Sequence, residues 1–490
     1  MTKTIFFCCL QLFILQTYAQ KHVNYNPAVQ QVKGIQYFKP AGNLFVGDCI
    51  PFYHNDTYYL YWLLDSAHHA ALNGLGGHQW VLSTSKDLLT WKHHPIVLGI
   101  DEDWEKSICT GSVVFANNQF YAFYATRLIN KEGKVNEQLS YAISKDGIHF
   151  IKQKPNPFYT SAPGYSKRNF RDPKVTVDST GTFHLFVSSA TDSSVSASNG
   201  AMVHLTSRNL QKWEVRPPLI VNQNDVPECP DYFYWKGWYY LIYGRGGNTF
   251  YLKSKYMYGP WEYPSSQAFN EDWSNVVKTA EFINGRRIAA GWIPSRNENK
   301  DNGHERFGGN IVLREVVQLE DGSLATKFAP ETVPAAGKPL TLRPVADSLT
   351  AVLPDGDMKI TSYNGMGSLY FDDVPANMKI HLEVEPLGNI EEYGLIVHAS
   401  EKAEKGYKIA LVPDDHKVSL YNTSINGVDG LNNTISVDVI MKDDIIDVCV
   451  GNRRCIVNRL PEEKGSQLWL FVKHGAAIFH AVSIAPLTAP

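Results

Sequence analysis

Three acidic residues in short polar motifs could together support acid–base and nucleophilic chemistry. Asp48 follows a glycine, Asp172 lies between an arginine and a proline, and Glu228 precedes a Cys-Pro pair. Cleavage of a glycosidic bond needs this inventory, because one carboxylate attacks or acts as base while a carboxylic acid protonates the departing oxygen. An isolated carboxylate more often caps a turn or pairs with a base. The chemistry therefore depends on whether the fold brings the three together.

Each of these carboxylates opens one copy of a repeat, and self-similarity at a fixed period indicates a repeat architecture. In every copy a polar motif enters a strand, a tight turn follows, and the chain returns on an aromatic strand. The five copies are residues 47–64, 109–125, 171–188, 228–243 and 279–292. After the first four comes a turn directly before a bulky aromatic, which predicts the corner into an outer strand. These turns are residues 85–91, 144–150, 207–213 and, in weaker form, 258–261.

Four strands per copy and five copies predict a five-bladed β-propeller over residues 35–334. A row of β-sandwiches is the competing architecture, but it gives no reason for a polar motif at the same point of every copy. In a propeller the starts of the innermost strands converge at one mouth. Asp48, Asp172 and Glu228 are then expected to line a single pocket.

The remaining residues, 335–490, are predicted to form a linker and a β-sandwich. Prolines cluster at the beginning of this region, and short alternating strands such as 379–385 and 468–472 follow. The region carries no cluster of catalytic residue types. The whole chain is therefore expected to be all-β, a propeller followed by a C-terminal sandwich.

Composition narrows the classes of partner. The chain has 46 Lys and Arg against 49 Asp and Glu, a net charge of -3, which gives no support to nucleic acid because phosphate binding normally shows as a basic excess. The 11 Trp, 26 Tyr and 23 Phe favour strands and surfaces on which sugars stack. An oligo- or polysaccharide is the partner that these numbers favour.

The first residues resemble an export signal. A lysine precedes the apolar run 5–15, and the small residue Ala19 follows, which predicts a signal peptide over residues 1–19 and an N-terminal extension over residues 20–34. A short membrane anchor, or a lipid on Cys8 or Cys9, are the alternatives. No later stretch is long and apolar enough to span a bilayer. The mature protein is thus expected to be exported, either to the periplasm or outside the cell.

Five cysteines follow the signal, and an odd number cannot form a complete disulfide framework. Only Cys449 and Cys455, on either side of a turn, are near enough in sequence to pair. They are equally well explained as diagonal neighbours on two strands. The sequence contains no close cluster of Cys and His, so it predicts no metal site of that kind.

Two motifs resemble those of glycoside hydrolase family 32, the invertases, inulinases and levanases. Residues 170–175 are similar to the family's Arg-Asp-Pro motif, and residues 228–233 are similar to its Glu-Cys-Pro motif. The two motifs in this order and spacing are specific to the family. Further matches are Gly77-His78, Thr110-Gly111-Ser112, Gly291-Trp292 and the segment 307–315. The resemblance extends over about residues 40–330, and the family's usual partner is a C-terminal β-sandwich.

The resemblance implies roles for the three carboxylates. Asp48 would be the nucleophile, Glu228 the general acid/base, and Asp172 the stabiliser that holds sugar hydroxyls in the oxocarbenium-like state. The family retains configuration, which implies a covalent fructosyl-enzyme intermediate and requires no cofactor. The substrate-binding candidates are Arg171, His78, Thr110, Ser112 and Trp292.

The chain departs from the family pattern at residues that bind the sugar in the pocket. Gly47 stands where the family has Asn beside the nucleophile, Leu63 where it has Gln, and Gly76 where it has Trp. The polar segment 65–75, with His68 and His69, could refill the pocket, but an exposed loop is the favoured interpretation. The sequence therefore defines the catalytic groups better than it defines the identity of the sugar in the substrate.

These observations predict an exported, retaining, exo-acting furanosidase, with β-fructofuranosides as the favoured substrates. A hydrolase for another furanoside, such as an arabinofuranoside, is the alternative among enzymes. A catalytically weak carbohydrate-binding propeller is the alternative from another class, and it would be favoured if Asp48 lay outside the pocket.

Overall fold

A computed structural model describes residues 23, 25–27, 31–192, 199–264, 266–271, 275–341, 343–346 and 349–488. The predicted signal peptide and part of the predicted extension, residues 20–22, 24 and 28–30, lie outside these residues. Within these ranges, no helix combines the length and the apolar character needed to cross a membrane.

Five antiparallel β-sheet units confirm the predicted propeller, with the strand that begins each repeat innermost. Blade 1 is preceded by an edge strand that pairs with its outermost strand. The edge strand is β1 (Gln31–Lys33), and blade 1 is β2 (Leu44–His54), β3 (Thr57–Ser66), β4 (Gln79–Ser85) and β5 (Thr90–Leu98). Blade 2 is β6 (Ser107–Ala116), β7 (Gln119–Ile129), β8 (Val135–Ser144) and β9 (Ile151–Lys152). Blade 3 is β10 (Tyr165–Val177), β11 (Phe183–Thr191), β12 (Gly200–Ser207) and β13 (Glu214–Gln223).

The last two blades complete the ring. Blade 4 is β14 (Glu228–Trp235), β15 (Trp238–Arg245) and β16 (Asn248–Ser254), and blade 5 is β17 (Asn275–Phe282), β18 (Arg286–Arg296), β19 (Glu305–Gln318) and β20 (Leu324–Lys327). Gly309 in β19 pairs with Val46 in β2, so blades 5 and 1 form one continuous sheet. One short helix, α1 (Ala71–Gly74), lies between β3 and β4. Single 3-10 turns occur at Ile283–Gly285, Asn297–Asn299, Pro330–Thr332 and Glu401–Ala403.

The prediction of four strands in blade 4 is wrong. Among the described residues after β16, a single bridge between Lys253 and Glu262 stands in place of the outer strand. Pro260 and Pro264 flank that bridge, and proline has no N–H to donate to a ladder. The turn-and-aromatic motif was weakest in this repeat.

The turns that enter the outer strands of the other blades form as expected, because their side chains cap their own backbone. In blade 1 the Ser85 hydroxyl accepts from the N–H of Leu88 at 2.9 Å, and Asp87 accepts from the N–H of Thr90 at 2.7 Å. Trp91 then packs into the core between blades with its side chain fully buried. Equivalent Ser and Asp or Asn caps hold the turns in blades 2 and 3.

A β-bulge interrupts every innermost strand at the same place. In each blade two residues of the inner strand lie opposite one residue of its neighbour, a distortion that bends the strand and redirects its side chains. The bulged pairs are residues 47–48, 109–110, 172–173, 229–230 and 276–277. Three of these pairs carry Asp48, Asp172 or the neighbour of Glu228. The bulges therefore position the side chains that are predicted to be catalytic.

A second all-β region follows the propeller and has its own apolar core. Its strands form one bent twelve-stranded sheet that folds into two layers around that core. They are β21 (Val345–Ala346), β22 (Thr350–Val352), β23 (Met358–Phe371), β24 (Met378–Pro386), β25 (Glu392–Ala399), β26 (Tyr407–Val412), β27 (Lys417–Leu420), β28 (Thr423–Asn426), β29 (Ile435–Lys442), β30 (Ile445–Val450), β31 (Arg454–Arg459) and β32 (Gln467–Pro486). This is the predicted β-sandwich.

A buried ionic cluster joins the two regions. Arg314 in β19 donates to Asp447 in β30 at 2.7 and 2.9 Å and to Glu271 at 2.8 Å. All three side chains are almost completely buried. Burial raises the pKa of Asp447 to about 6 although Arg314 acts in the opposite direction. The propeller and the sandwich are therefore held in one fixed arrangement by charges that cannot be solvated.

Cys449 and Cys455 are direct partners across β30 and β31, not diagonal neighbours. Both thiols are free, as are those of the other three described cysteines. The predicted possibility of a disulfide between them is not realised.

Candidate active site

Asp48, Asp172 and Glu228 lie together in one cavity of about 380 Å³ at the bulged ends of the inner strands. Its volume is within the usual range for ligand pockets. Asp48 is 8% exposed and Asp172 is 4% exposed, whereas the Glu228 side chain is 44% exposed. Two buried carboxylates thus lie beside one that solvent and a leaving group can reach.

Asp48 is held by donors from three other blades. The Trp292 indole N–H donates to one carboxylate oxygen at 3.1 Å, and the Thr110 hydroxyl donates to the other. The Cys229 thiol lies 3.5 Å from that second oxygen. These contacts fix the direction of the carboxylate before any ligand arrives, which is the preorganisation that a nucleophile needs.

Cys229 lies between two of the carboxylates. Its backbone N–H donates to Asp172 at 3.1 Å, and its sulfur lies 3.6 Å from the same oxygen. Burial first, and then the nearby charges of Asp172 and Asp48, raise the pKa of the Cys229 thiol well above its usual value. The thiol therefore stays protonated and can donate its one proton to either carboxylate, as expected of a packing residue and not of a reactive nucleophile.

Asp172 is the most strongly perturbed carboxyl in the cavity. Burial raises the pKa of Asp172 to about 7, with Glu137 and Glu228 adding to the effect and Arg171 opposing it. Its backbone has a left-handed φ of 53°, the strained geometry of the bulge. Such perturbation and strain together are typical of functional sites.

A continuous row of alternating charges crosses the cavity wall. Arg171 donates to Glu228 at 2.7 Å, and its Nε lies 3.6 Å from Glu137. Glu137 in turn accepts from Arg127 at 2.8 and 3.1 Å, and Arg127 donates to His69 at 2.7 Å. Arg171, a predicted substrate-binding residue, therefore contacts a carboxylate of the cavity.

Three of the other predicted substrate-binding residues line the cavity, namely His78, Thr110 and Trp292. Ser112 does not. Its hydroxyl donates to the Pro173 carbonyl at 2.7 Å and accepts from the Val175 N–H at 2.7 Å. The prediction that Ser112 contacts substrate is corrected, because its hydroxyl is used to join blade 2 to blade 3.

The interpretation of residues 65–75 as an exposed loop is also wrong. Asp65 is fully buried and accepts from the His69 N–H at 2.8 Å, and it lies 3.1 Å from His78 Nε2. His69 lines the cavity, and His68 contacts the Phe307 carbonyl at 2.9 Å. The segment folds back into the cavity because a buried carboxylate anchors its beginning.

Sequence reasoning missed several residues that line the cavity, among them Glu137 and Phe307. Glu137 lies directly across the β7–β8 hairpin from Arg127, so an opposite-charge pair at that register was the available signal. Phe307 stacks on His78 with ring centroids 4.9 Å apart, and no sequence pattern indicates that contact.

This arrangement can supply a fixed carboxylate, a second buried carboxyl and a reachable acid within one cavity. Among the residues with a described placement, no three His, Cys, Asp or Glu side chains are positioned to share a metal ion.

Comparison with known proteins agrees with this geometry. Residues 38–327 match the family described as "Glycosyl hydrolases family 32 N-terminal domain". The chain is 27% identical to sucrose-6-phosphate hydrolase from Bacillus subtilis (strain 168) over 252 residues, 46% of this chain and 50% of that protein. It is 24% identical to raffinose invertase from Escherichia coli, over 60% of this chain and 64% of that protein. The chain thus spans about half the length of the first curated relatives it matches.

Solved structures extend the similarity of fold to both regions. Fructan 1-exohydrolase IIa from Cichorium intybus superposes with a TM-score of 0.68 at 16% identity, covering 93% of this chain and 97% of that one. Exo-inulinase from Aspergillus awamori superposes with a TM-score of 0.69 at 15% identity, covering 93% and 98%. Propeller and sandwich therefore share the architecture of these proteins.

Proposed function

The chain belongs to glycoside hydrolase family 32, and from this premise we propose that it is an exported hydrolase that cleaves terminal furanosides with retention of configuration. β-Fructofuranosides are the substrates we favour, as the names of its relatives suggest. The observation that carries the proposal is the convergence of Asp48, Asp172 and Glu228 on one cavity, each in or next to the bulge of a different inner strand.

In the proposed first step Asp48 attacks the anomeric carbon while Glu228 gives its proton to the departing oxygen. The glycosidic bond breaks as the bond to Asp48 forms, which leaves a covalent glycosyl-enzyme. The 44% exposure of the Glu228 side chain leaves room for the aglycone and supports its role as the proton donor.

In the second step Glu228, now a carboxylate, removes a proton from water, which attacks the same carbon and releases Asp48. Arg171 donates to Glu228 at 2.7 Å and would hold it in place through both steps. Asp172, buried beside Asp48, would accept from sugar hydroxyls as positive charge develops at the anomeric centre.

A hydrolase for another furanoside, such as an arabinofuranoside, is the second candidate. The observation that favours it is the altered cavity wall, where Leu63 and the ring of Phe307 stand near Gly47 in place of amide side chains. The binding-protein alternative would be favoured if Asp48 lay outside the cavity. Its three donors inside the cavity support an enzyme instead.

Hydrolysis of sucrose, inulin, levan and aryl arabinofuranosides would test the proposal, with the Glu228→Gln protein as the matched control. Proton NMR of the first-formed sugar reports the configuration at the anomeric carbon. We expect release of the substrate's own anomer from at least one furanoside. An inverted first product would contradict retention, and no cleavage of any furanoside would contradict the hydrolase proposal.

A further inference from the structure

Side chains from other segments occupy the space of two family residues that this chain lacks. A Cβ atom on Gly47 would lie 2.8 Å from Cε1 and 2.9 Å from Cζ of Phe307. The ring of Phe307 therefore occupies the volume beside the nucleophile that an Asn side chain would need. It is held there by His78 at 4.9 Å and Trp292 at 5.0 Å between ring centroids.

A second replacement surrounds Gly76. A Cβ atom there would lie 3.2 Å from Arg127 Nη1 and 3.1 Å from the His78 ring, and the φ of 94° also disfavours a side chain. Where the family has a Trp, this chain therefore has space that Arg127 and His78 use. At Gly47 and at Gly76 the family side chain is absent, and a side chain from elsewhere in the chain fills the space in the cavity wall.

Arg127 is oriented by three neighbours. It donates from Nε and Nη2 to Glu137 Oε1, and from Nη1 to the Leu75 carbonyl at 3.1 Å and to His69 Nε2 at 2.7 Å. Arginine can only donate, so His69 accepts at Nε2 and carries its proton on Nδ1. Burial, together with His78 and Arg127, lowers the pKa of His69 to about 4, so the ring is neutral.

Hydrogen-bonding capacity remains at this point of the wall. Arg127 Nη2 keeps a second N–H, and the Nδ1–H of His69 is buried without a hydrogen bond to any described residue. Glu137 Oε2 has Arg171 Nε at 3.6 Å, which is too long for a good hydrogen bond. Donors and an acceptor thus lie side by side, the pattern that suits neighbouring hydroxyls, each of which both donates and accepts.

We propose that Arg127, Glu137 and His69 form the set that recognises two adjacent hydroxyls of the glycosyl unit, a role that the missing family residues cannot fill in this chain. The inference rests on the proposed function and adds the residues that determine its sugar specificity. The ligand is a neutral furanosyl unit with a vicinal diol. The carboxylates Asp48, Asp172 and Glu228 in the same cavity, together with Glu137, disfavour a negatively charged group on that unit, and the arginines of the cavity disfavour a positively charged one.

The test is a cycle between Arg127→Met and monodeoxy analogues of the furanoside that the enzyme cleaves best. A hydrogen bond from a charged donor is worth about 10- to 100-fold in kcat/KM. The wild-type enzyme should lose that factor on the analogue that lacks the recognised hydroxyl. Arg127→Met should lose it on the parent substrate and lose little more on the analogue. The loss should appear mainly in KM.

Arg306→Met is the matched control, because Arg306 lines the same cavity outside the Arg127–Glu137–His69 set. It should leave the ratio between parent and analogue unchanged. Glu137→Gln keeps the shape and provides a second variant should Arg127→Met fail to fold, as judged by circular dichroism. It should reduce discrimination against the same analogue.

Independent penalties, in which variant and analogue losses multiply, would overturn the assignment while leaving the hydrolase proposal intact. If the wild-type enzyme cleaved no furanoside, the hydrolase proposal would fail separately. Calorimetric binding of fructose, arabinose and their deoxy analogues to wild type and Arg127→Met would then decide the assignment. Equal affinities of the two proteins for every sugar would overturn it.

Discussion

Replacing Gly47 by alanine should impair catalysis through Phe307. The new Cβ would lie 2.8 Å from the ring, where ordinary contact begins at 3.4 Å, so the ring must move by about 0.6 Å. The ring of Phe307 packs against the ring of Trp292, and the indole N–H of Trp292 donates to Asp48 at 3.1 Å. A comparable shift of the indole would lengthen that bond beyond hydrogen-bonding distance.

The expected magnitude follows from these distances. Overpacking a filled site costs about 1 to 3 kcal/mol of stability. A misplacement of 1 Å at a catalytic group can cost about 10²-fold, so the smaller shift should lower kcat by about 10-fold. Steady-state kinetics and thermal unfolding measure the two effects separately.

A double variant and a control variant test this prediction further. Phe307→Leu removes the ring atoms that collide with the new methyl group, so Gly47→Ala combined with Phe307→Leu should recover part of kcat. Gly337→Ala is the matched control, because its Cβ would meet its nearest neighbour at 3.4 Å. Full activity of Gly47→Ala, or a loss that Phe307→Leu does not relieve, would refute the reasoning.

Three further substitutions test separate parts of the structure. Glu228→Gln should lower turnover on natural glycosides by about 10²- to 10⁴-fold with substrate binding retained, as measured by kinetics and calorimetry; unchanged turnover would exclude Glu228 as the acid. Asp447→Ala removes one of the two carboxylates that neutralise buried Arg314 and should cost about 3 to 5 kcal/mol in urea unfolding, whereas a loss below 1 kcal/mol would contradict a structural role. Ser112→Ala leaves the N–H of Val175 unpaired and should cost about 1 to 3 kcal/mol of stability with KM unchanged; a raised KM would restore its predicted contact with substrate.

The blades could be predicted from sequence because their signals are local. Self-capping turns such as the one at Ser85 and Asp87, followed by a buried aromatic, repeat within short stretches of chain. The exception, the missing outer strand of blade 4, was also local, since Pro260 and Pro264 are visible in the sequence. The turn-and-aromatic motif of this repeat is weak, and the prediction of a fourth strand followed the regular pattern of the other repeats.

The carboxylates were predictable because each opens a repeat, whereas the cavity wall was not. Phe307 reaches the space beside Gly47 from a strand 260 positions later in the chain. Arg127 reaches Gly76 from another blade. Ser112 shares a motif with Thr110, but one of these hydroxyls meets Asp48 and the other meets the backbone of blade 3. Which hydroxyl faces the ligand is decided by the bulge, which redirects consecutive side chains.

The central claim is that Asp48 forms a covalent bond to the sugar while Glu228 serves the departing group. It is tested most directly by mixing the Glu228→Gln protein with an aryl β-fructofuranoside, whose leaving group needs no proton, and digesting the quenched protein for mass spectrometry. The account predicts a burst of released phenol and one glycosyl unit on the peptide that contains Asp48. A burst with the sugar on another carboxylate, or steady turnover with no labelled peptide, would contradict it.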